Sequence, residues 1–109
     1  MREYIFNLLK QTGLEVVYRT WDEGSDKPMP YICYRLVDSD NFNADNRTYC
    51  PVSNWAVELY SERKDDENES KIEEVLTSAD LAFNKYESQI EKGVLEVLYL
   101  FSTIGEKGE

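Results

Sequence analysis

The sequence predicts an α+β fold in which two helices pack on one face of an antiparallel or mixed sheet of about five strands. Two segments have the apolar repeat of amphipathic helices, and five have the alternating or β-branched character of strands. Their order along the chain is α-β-β-β-α-β-β, and 109 residues suit one compact domain. We therefore expect a single domain over residues 1–104 and a flexible polar tail over 105–109.

The first helix is predicted from Arg2 to Thr12, with Gly13 as its left-handed stop. Its apolar residues recur at helical spacing and would lie on one side of the helix: Ile5, Leu8 and Leu9. The segment from Leu14 to Trp21 is rich in β-branched and aromatic residues and is predicted as the first strand. A turn-forming stretch then leads to Pro30, which suits the entrance of a strand.

A long hairpin is predicted from Pro30 to Tyr60. Two alternating runs, PYICYRLV and NWAVELYSE, flank the polar insert DSDNFNADN. Each arm has one apolar and one mixed face, and the insert would form an acidic loop at the tip because Asp and Asn favour turns. Pro51 predicts a bulge or an edge near that tip, since proline cannot donate to a ladder.

The insert does not fit a calcium-binding loop. Phe42 stands where an oxygen ligand is needed, Asn43 where glycine is required and Tyr49 where the bidentate glutamate belongs. Turn formation therefore explains its Asp and Asn residues better than metal binding does. Phe42 is the unusual member, because an aromatic side chain in a polar loop either folds back or contacts a partner.

The second helix should follow the acidic run at 65–69, capped by Asp65 or Asp66. Its apolar stripe consists of Ile72, Val75, Leu76 and Ala79. Phe83–Ile90 and Val94–Thr103 would then pair through a turn at 91–93. The run VLEVLYLF contains one charge, so both faces of this strand avoid water. Two helices cover about one sheet face, which leaves the other as a candidate subunit contact.

Composition narrows the classes of function. The formal net charge of −10 disfavours ordinary binding to nucleic-acid phosphates, and no apolar run is long enough to span a bilayer. The chain has no histidine and no phosphate-binding glycine motif, and Cys33 and Cys50 lack metal-ligand spacing. We expect no enzyme activity, cofactor, metal or membrane partner, two buried thiols, and a cytoplasmic protein.

The hairpin also carries a resemblance to a known family. The segment PYICYRLVDSDNFNADNRTY, the following WAVELYSERKDD and the order of elements resemble tail completion or tail terminator proteins. These head-tail joining proteins belong to long-tailed bacteriophages and prophages of Gram-positive bacteria. The resemblance extends from Arg2 to about Phe101 and is most specific at the strand followed by DSDNFNADN.

Membership of that family would imply a structural virion protein. Such proteins form a homo-oligomeric ring, often a hexamer, that ends tail-tube polymerisation and joins the tail to the head. The implied partners are the tail tube protein and head-tail connector proteins, with DNA only as passing cargo. Assembly would occur in the bacterial host cytoplasm, and the final location would be the virion tail. The predicted interface consists of Tyr31, Tyr34, Asp38, Asp40, Asn41, Phe42, Asn43, Asp45, Trp55 and Tyr60.

Three alternatives stay open at this point. The acidic charge also suits a DNA mimic that inhibits a host nuclease, and another head-tail connector component would have a similar pattern. The aromatic strand residues could equally form an ordinary monomer core. A ring in which each copy buries one patch on the next would account for the surplus of apolar strand residues.

Overall fold

The computed structural model describes residues 2–18, 28–44 and 47–104, with the backbone alone described for 40–44 and 47–51. It is an α+β fold with two helices and a five-stranded mixed sheet. In chain order the elements are α1 (Arg2–Lys10), β1 (Glu15–Tyr18), β2 (Tyr31–Ala44), β3 (Arg47–Ser61), α2 (Asp66–Ser78), β4 (Phe83–Glu91) and β5 (Val94–Ile104).

The spatial order of the strands is β1-β2-β3-β5-β4. Strand β1 runs parallel to β2, and all other neighbours are antiparallel, so the sheet is mixed. The hairpins β2–β3 and β4–β5 are local, and pairing of β3 with β5 joins them at the centre. Val57 illustrates the register, because it lies opposite Tyr34 on one side and Tyr99 on the other.

The ends of the helices follow from their local chemistry. Helix α1 ends at Lys10, two residues before the predicted end, because the amides of Gln11 and Thr12 bond to carbonyls three residues earlier. Gly13 follows with φ of 84°, as its predicted left-handed role requires. Asp65 caps α2, and its carboxylate accepts a hydrogen bond of 3.2 Å from the amide of Asn68.

One face of the sheet carries the hydrophobic core, and both helices pack against it. Successive side chains of a strand point to opposite faces, so every second residue of a strand lies on this covered face, and the strand residues of the core belong to this set. Burying these side chains together supplies the main favourable term for folding. The core consists of Ile5, Leu8, Leu9, Val16, Ile32, Tyr34, Trp55, Val57, Leu59, Ile72, Leu76, Val97, Tyr99 and Phe101.

The polar insert of the hairpin is not the predicted loop. Strands β2 and β3 stay paired as far as Ala44 opposite Arg47, so the loop prediction is wrong for residues 38–44. Cross-strand backbone bonds override the turn preference of Asp and Asn here. The one part of the insert for which the loop remains a prediction, residues 45–46, lies outside the described residues.

Within the described residues, the end of the hairpin extends beyond the other strands. The last described pair of β1 with β2 is at Tyr34, and the last described pair of β5 with β3 is at Val52. We call the two-stranded remainder, 41–44 and 47–51, the distal ribbon. Pro51 lies there opposite Asn41, and register shifts occur between Leu36 and Asp38 and between Phe42 and Asn43.

Candidate functional site

The sheet face opposite the helices is the candidate functional surface. We call it the open face, because both helices pack on the other side and no described element covers it. The register assigns its residues, since each lies opposite another member on a neighbouring strand. Its central members are Cys33, Arg35, Ala56, Glu58, Tyr60, Tyr86, Glu96, Leu98 and Leu100.

Apolar side chains on the open face remain in contact with water. Leu98 and Leu100 are partly exposed near its middle, whereas Tyr86 is 53% exposed toward one edge. Val37, which lies in the register shift of β2, is 45% exposed. A one-sided sheet ordinarily presents polar residues to solvent, so adjacent exposed apolar groups indicate a contact surface.

Two carboxylates lie together near the centre of the open face. The Tyr60 hydroxyl is 3.1 Å from Oε1 of Glu58 and 3.3 Å from Oε2 of Glu96. The Arg35 guanidinium is 3.5 Å from Glu58. This acidic centre therefore contains one more negative than positive charge, and Glu58 is only 8% exposed.

The environment of the acidic centre raises the pKa values of Glu96 and Tyr60. Burial and the neighbouring Glu58 carboxylate raise the pKa of Glu96 above its ordinary value. Burial also raises the pKa of the Tyr60 hydroxyl, and the two carboxylates beside it act in the same direction. Tyr60 therefore stays protonated and donates a hydrogen bond at neutral pH.

The four aromatic residues of the predicted interface separate between the two faces. Tyr31 and Tyr60 stack on the open face with ring centroids 5.2 Å apart, and both are partly exposed. Tyr34 and Trp55 are each 3% exposed in the core beneath the helices. Because the chain itself buries Tyr34 and Trp55, these two are core residues and are not available to a partner.

The polar groups of Trp55 and Tyr34 form hydrogen bonds within the chain. The Trp55 indole N–H donates to the hydroxyl of Thr103 at 3.1 Å, so even the polar atom has a partner within the chain. The Tyr34 hydroxyl donates to the Arg2 carbonyl at 3.5 Å. Both polar groups thus already donate a hydrogen bond within the chain.

The predicted interface residues of the hairpin form a series along β2. Asp38 is exposed at the base of the ribbon and accepts a hydrogen bond from the Asn54 amide, while Ser102 donates to Asn54 from β5. Asp40, Asn41, Phe42 and Asn43 belong to β2 by their backbones, and Asp45 lies outside the described residues. The structure thus fixes the base of the ribbon to the sheet.

A second charged cluster lies on the covered side. The Glu69 carboxylate is 3.0 Å from the Lys64 ammonium and 2.8 Å from that of Lys85, and Lys85 also contacts Glu73 at 2.6 Å. The Tyr99 hydroxyl donates to Glu73 at 2.9 Å. This cluster joins α2 to β4 and β5, so it serves the fold. Helical spacing of Glu69 and Glu73 was a sequence signal for it.

Metal-binding groups and membrane-spanning helices are absent from the described residues. Over 2–18, 28–44 and 47–104, no group of three or more His, Cys, Asp and Glu residues is placed to hold a metal ion. Within the same ranges, neither helix is both long and apolar enough to cross a membrane. Cys33 is buried as predicted, and the side chain of Cys50 lies outside the described set.

Comparison with known proteins leaves the family unassigned. The sequence matches no protein-family model, and comparison with curated proteins gives no significant match. The open face, the acidic centre and the distal ribbon are therefore the features that bear on function.

Proposed function

We propose that this chain is a structural subunit of a phage or prophage tail, a tail completion or terminator protein that forms a ring at the head-proximal end of the tail tube. Each subunit would contact its neighbours through the open face and reach the tube or the connector with the distal ribbon. The ring would end tube polymerisation and join the tail to the head. The single observation that carries the proposal is the sheet face with exposed apolar groups that the described residues leave uncovered.

The geometry of the chain supports an assembly role over an isolated one. A five-stranded sheet with helices on one side leaves apolar groups such as Leu98 and Val37 in water unless another surface covers them. The distal ribbon adds a two-stranded segment, and none of the described core residues belongs to it. Both features are expected of a subunit that is completed by neighbours, and neither is required of a monomer.

The charge distribution suits this role as well. Acidic residues on the surface would let DNA pass through a ring without adhering, because like charges repel. Several carboxylates of α2 and β4 are already paired with Lys64 and Lys85, so they do not form a phosphate-like array. This pairing makes the tail role a better explanation than a DNA mimic.

The direct test combines solution mass with tube binding. We expect light scattering to show a multimer at rising protein concentration, and we expect tail tubes made from the tube protein of the same gene cluster to bind the chain at their ends. Electron microscopy would locate the bound subunits. A chain that stays monomeric and does not bind tube ends would contradict the proposal; tight binding to a nuclease would then favour the mimic.

The ribbon provides the matching mutational test. We expect a double variant, Asp40→Ala beside the ribbon and Phe42→Ala within it, to keep its thermal stability, because the described core is built without these two residues, and to lose tube binding by about tenfold or more. Tyr4→Ala serves as the control, since Tyr4 is an aromatic residue 47% exposed on the helical side. A double variant that unfolds at lower temperature yet assembles normally would contradict this assignment of the ribbon.

A further inference from the structure

Strand β4 forms an unusually accessible edge of the sheet. It is the outermost strand on its side, contains nine residues and no proline, and all of them except Phe83 are exposed. The opposite edge strand, β1, has only four described residues. Long exposed edges present unpaired backbone amides and carbonyls that another strand can bond.

The usual protection of such an edge is weak in β4. Lysine side chains commonly guard an edge strand by staying solvated beside it. Here the Lys85 ammonium lies against Glu69 and Glu73, at 2.8 and 2.6 Å, and Glu87 contacts Lys64 at 2.6 Å. Both charged side chains of the strand centre are thus drawn toward the helical side. Tyr86 and Ile90, 53% and 51% exposed, add apolar area to the same strand.

The sequence of β4 is complementary to itself in the antiparallel direction. If Tyr86 of one copy lies opposite Tyr86 of a second, Lys85 lies opposite Glu87 and Asn84 opposite Ser88 on both sides of the two-fold axis. Opposite charges and paired aromatic rings across neighbouring strands each stabilise an antiparallel pair. All helices would then lie on the same side of one continuous sheet, because opposed residues share a face.

Neighbouring registers lack this match. A shift that centres the pair on Glu87 places two carboxylates directly opposite each other, and a shift that centres it on Lys85 places two ammonium groups opposite each other. Like charges at directly opposed positions are destabilising. Shifts by an odd number of residues would put the helices of the two copies on opposite faces. Charge therefore selects the register centred on Tyr86.

We propose that two copies of this chain associate through their β4 edges, in antiparallel register centred on Tyr86, to form one ten-stranded sheet. The occupant of the edge is a second copy, because the charges of β4 are complementary to those of β4 itself. This contact is two-fold and joins identical patches, whereas a ring contact joins different patches. Such a dimer does not depend on the tail role and would form in the free protein.

Disulfide trapping tests the register. Tyr86→Cys in a Cys50→Ser background should form a disulfide-linked pair under mild oxidation, because directly opposed Cα atoms lie about 4.5–5.5 Å apart. Ser88→Cys is the matched control on the same strand and face. Its Cα atoms would be about 14–15 Å apart across the axis, too far for a disulfide. A mixture of Asn84→Cys and Ser88→Cys should again cross-link, although neither does so alone.

The unlinked chain supplies the second measurement. Sedimentation equilibrium should show a dimer whose dissociation constant rises by at least about tenfold in Tyr86→Lys, since two ammonium groups would then be opposed, and stays near the original in Tyr86→Phe. Circular dichroism would verify that both variants are folded. Absence of a Tyr86→Cys pair, equal cross-linking of Ser88→Cys, or equal association of the Lys and Phe variants would each overturn the proposal.

Discussion

The two faces of the sheet come from the same strands, yet they differ in solvent exposure. On the covered face, Val57 and Tyr99 are inaccessible beneath two helices. On the open face, Leu98 and Leu100, the two neighbours of Tyr99 in β5, remain partly exposed. A pair of carboxylates lies on the same face. The difference teaches that the apolar strand residues of this chain have two environments. Those under the helices stabilise the fold, and those on the open face stay partly in contact with water.

The largest expected effect tests this division with the same substitution on each face. Leu59→Ala should lower the free energy of unfolding by about 2–5 kcal/mol, because Leu59 is fully buried and its loss leaves a cavity. Leu98→Ala should cost about 1 kcal/mol or less, since water already reaches that side chain. Urea unfolding of both variants is the measurement. Equal losses would mean that the open face is covered within the chain.

The same pair of variants also separates stability from assembly. Leu98→Ala should weaken self-association or tube binding while the monomer remains folded, because an open-face contact is removed. Leu59→Ala, measured under conditions where it stays folded, should assemble as the unchanged chain does. A reversed pattern would mean that the contact surface lies on the covered face and not on the open face.

An intermediate effect is expected from a carboxylate that is buried on the covered side. Glu69→Gln should lower the free energy of unfolding by roughly 2 kcal/mol, because the buried carboxylate that holds Lys64 and Lys85 is neutralised. Glu67→Gln on the same helix is the control, since Glu67 is 82% exposed and its pair with Lys71 spans 3.9 Å. Chemical denaturation checks both. Similar losses would show that burial of Glu69 has no energetic role.

The smallest expected effect is a difference in the sign of pH dependence. On the open face, burial and Glu58 raise the pKa of Glu96 above its ordinary 4.5, so the stability from its proton is full below that value and is lost as pH rises through the folded pKa. Glu96→Gln should therefore raise stability at neutral pH, by at most about 1 kcal/mol because the group is partly exposed.

The covered side should respond in the opposite direction. Burial acts to raise the pKa of Glu73, but hydrogen bonds from Lys85 and Tyr99 outweigh it and hold that pKa below 4.5. The stability from this carboxylate is present above pH 4.5 and is lost as pH falls through the folded pKa. Glu73→Gln should lower stability at neutral pH, by about 1 kcal/mol. Thermal melts from pH 3 to 8 would show whether the two variants differ in sign.

Local patterns made much of this fold predictable. The spacing of apolar residues in α1 and α2 and the alternation in the hairpin arms depend on neighbours in sequence, and the strands formed near the predicted positions. The pairing of β3 with β5 was not predictable, since it joins residues such as Val57 and Tyr99 across α2 and β4. Asp and Asn in the insert indicated a turn, but pairing with residues 47–54 made residues 38–44 a strand.

The candidate site was less predictable than the fold. Alternation separates Tyr34 from Tyr31, but it does not say which of the two faces the helices cover. Tyr34 and Trp55 were therefore grouped with Tyr31 and Tyr60, although only the latter pair lies on the open face. The proximity of Glu58 and Glu96 depends on the β3–β5 register, so no local pattern could identify it.

The central position of β5 has a consequence for synthesis of the protein. Strand β5 is the last described element, yet it lies between β3 and β4 and supplies Val97, Tyr99 and Phe101 to the core. A nascent chain on the ribosome can form the β2–β3 hairpin early, but it has no partner for the inner edge of β3 until β5 has emerged. Completion of the hydrophobic core must therefore wait until β5 has left the exit tunnel, and chaperones would meet an exposed half-sheet during that interval.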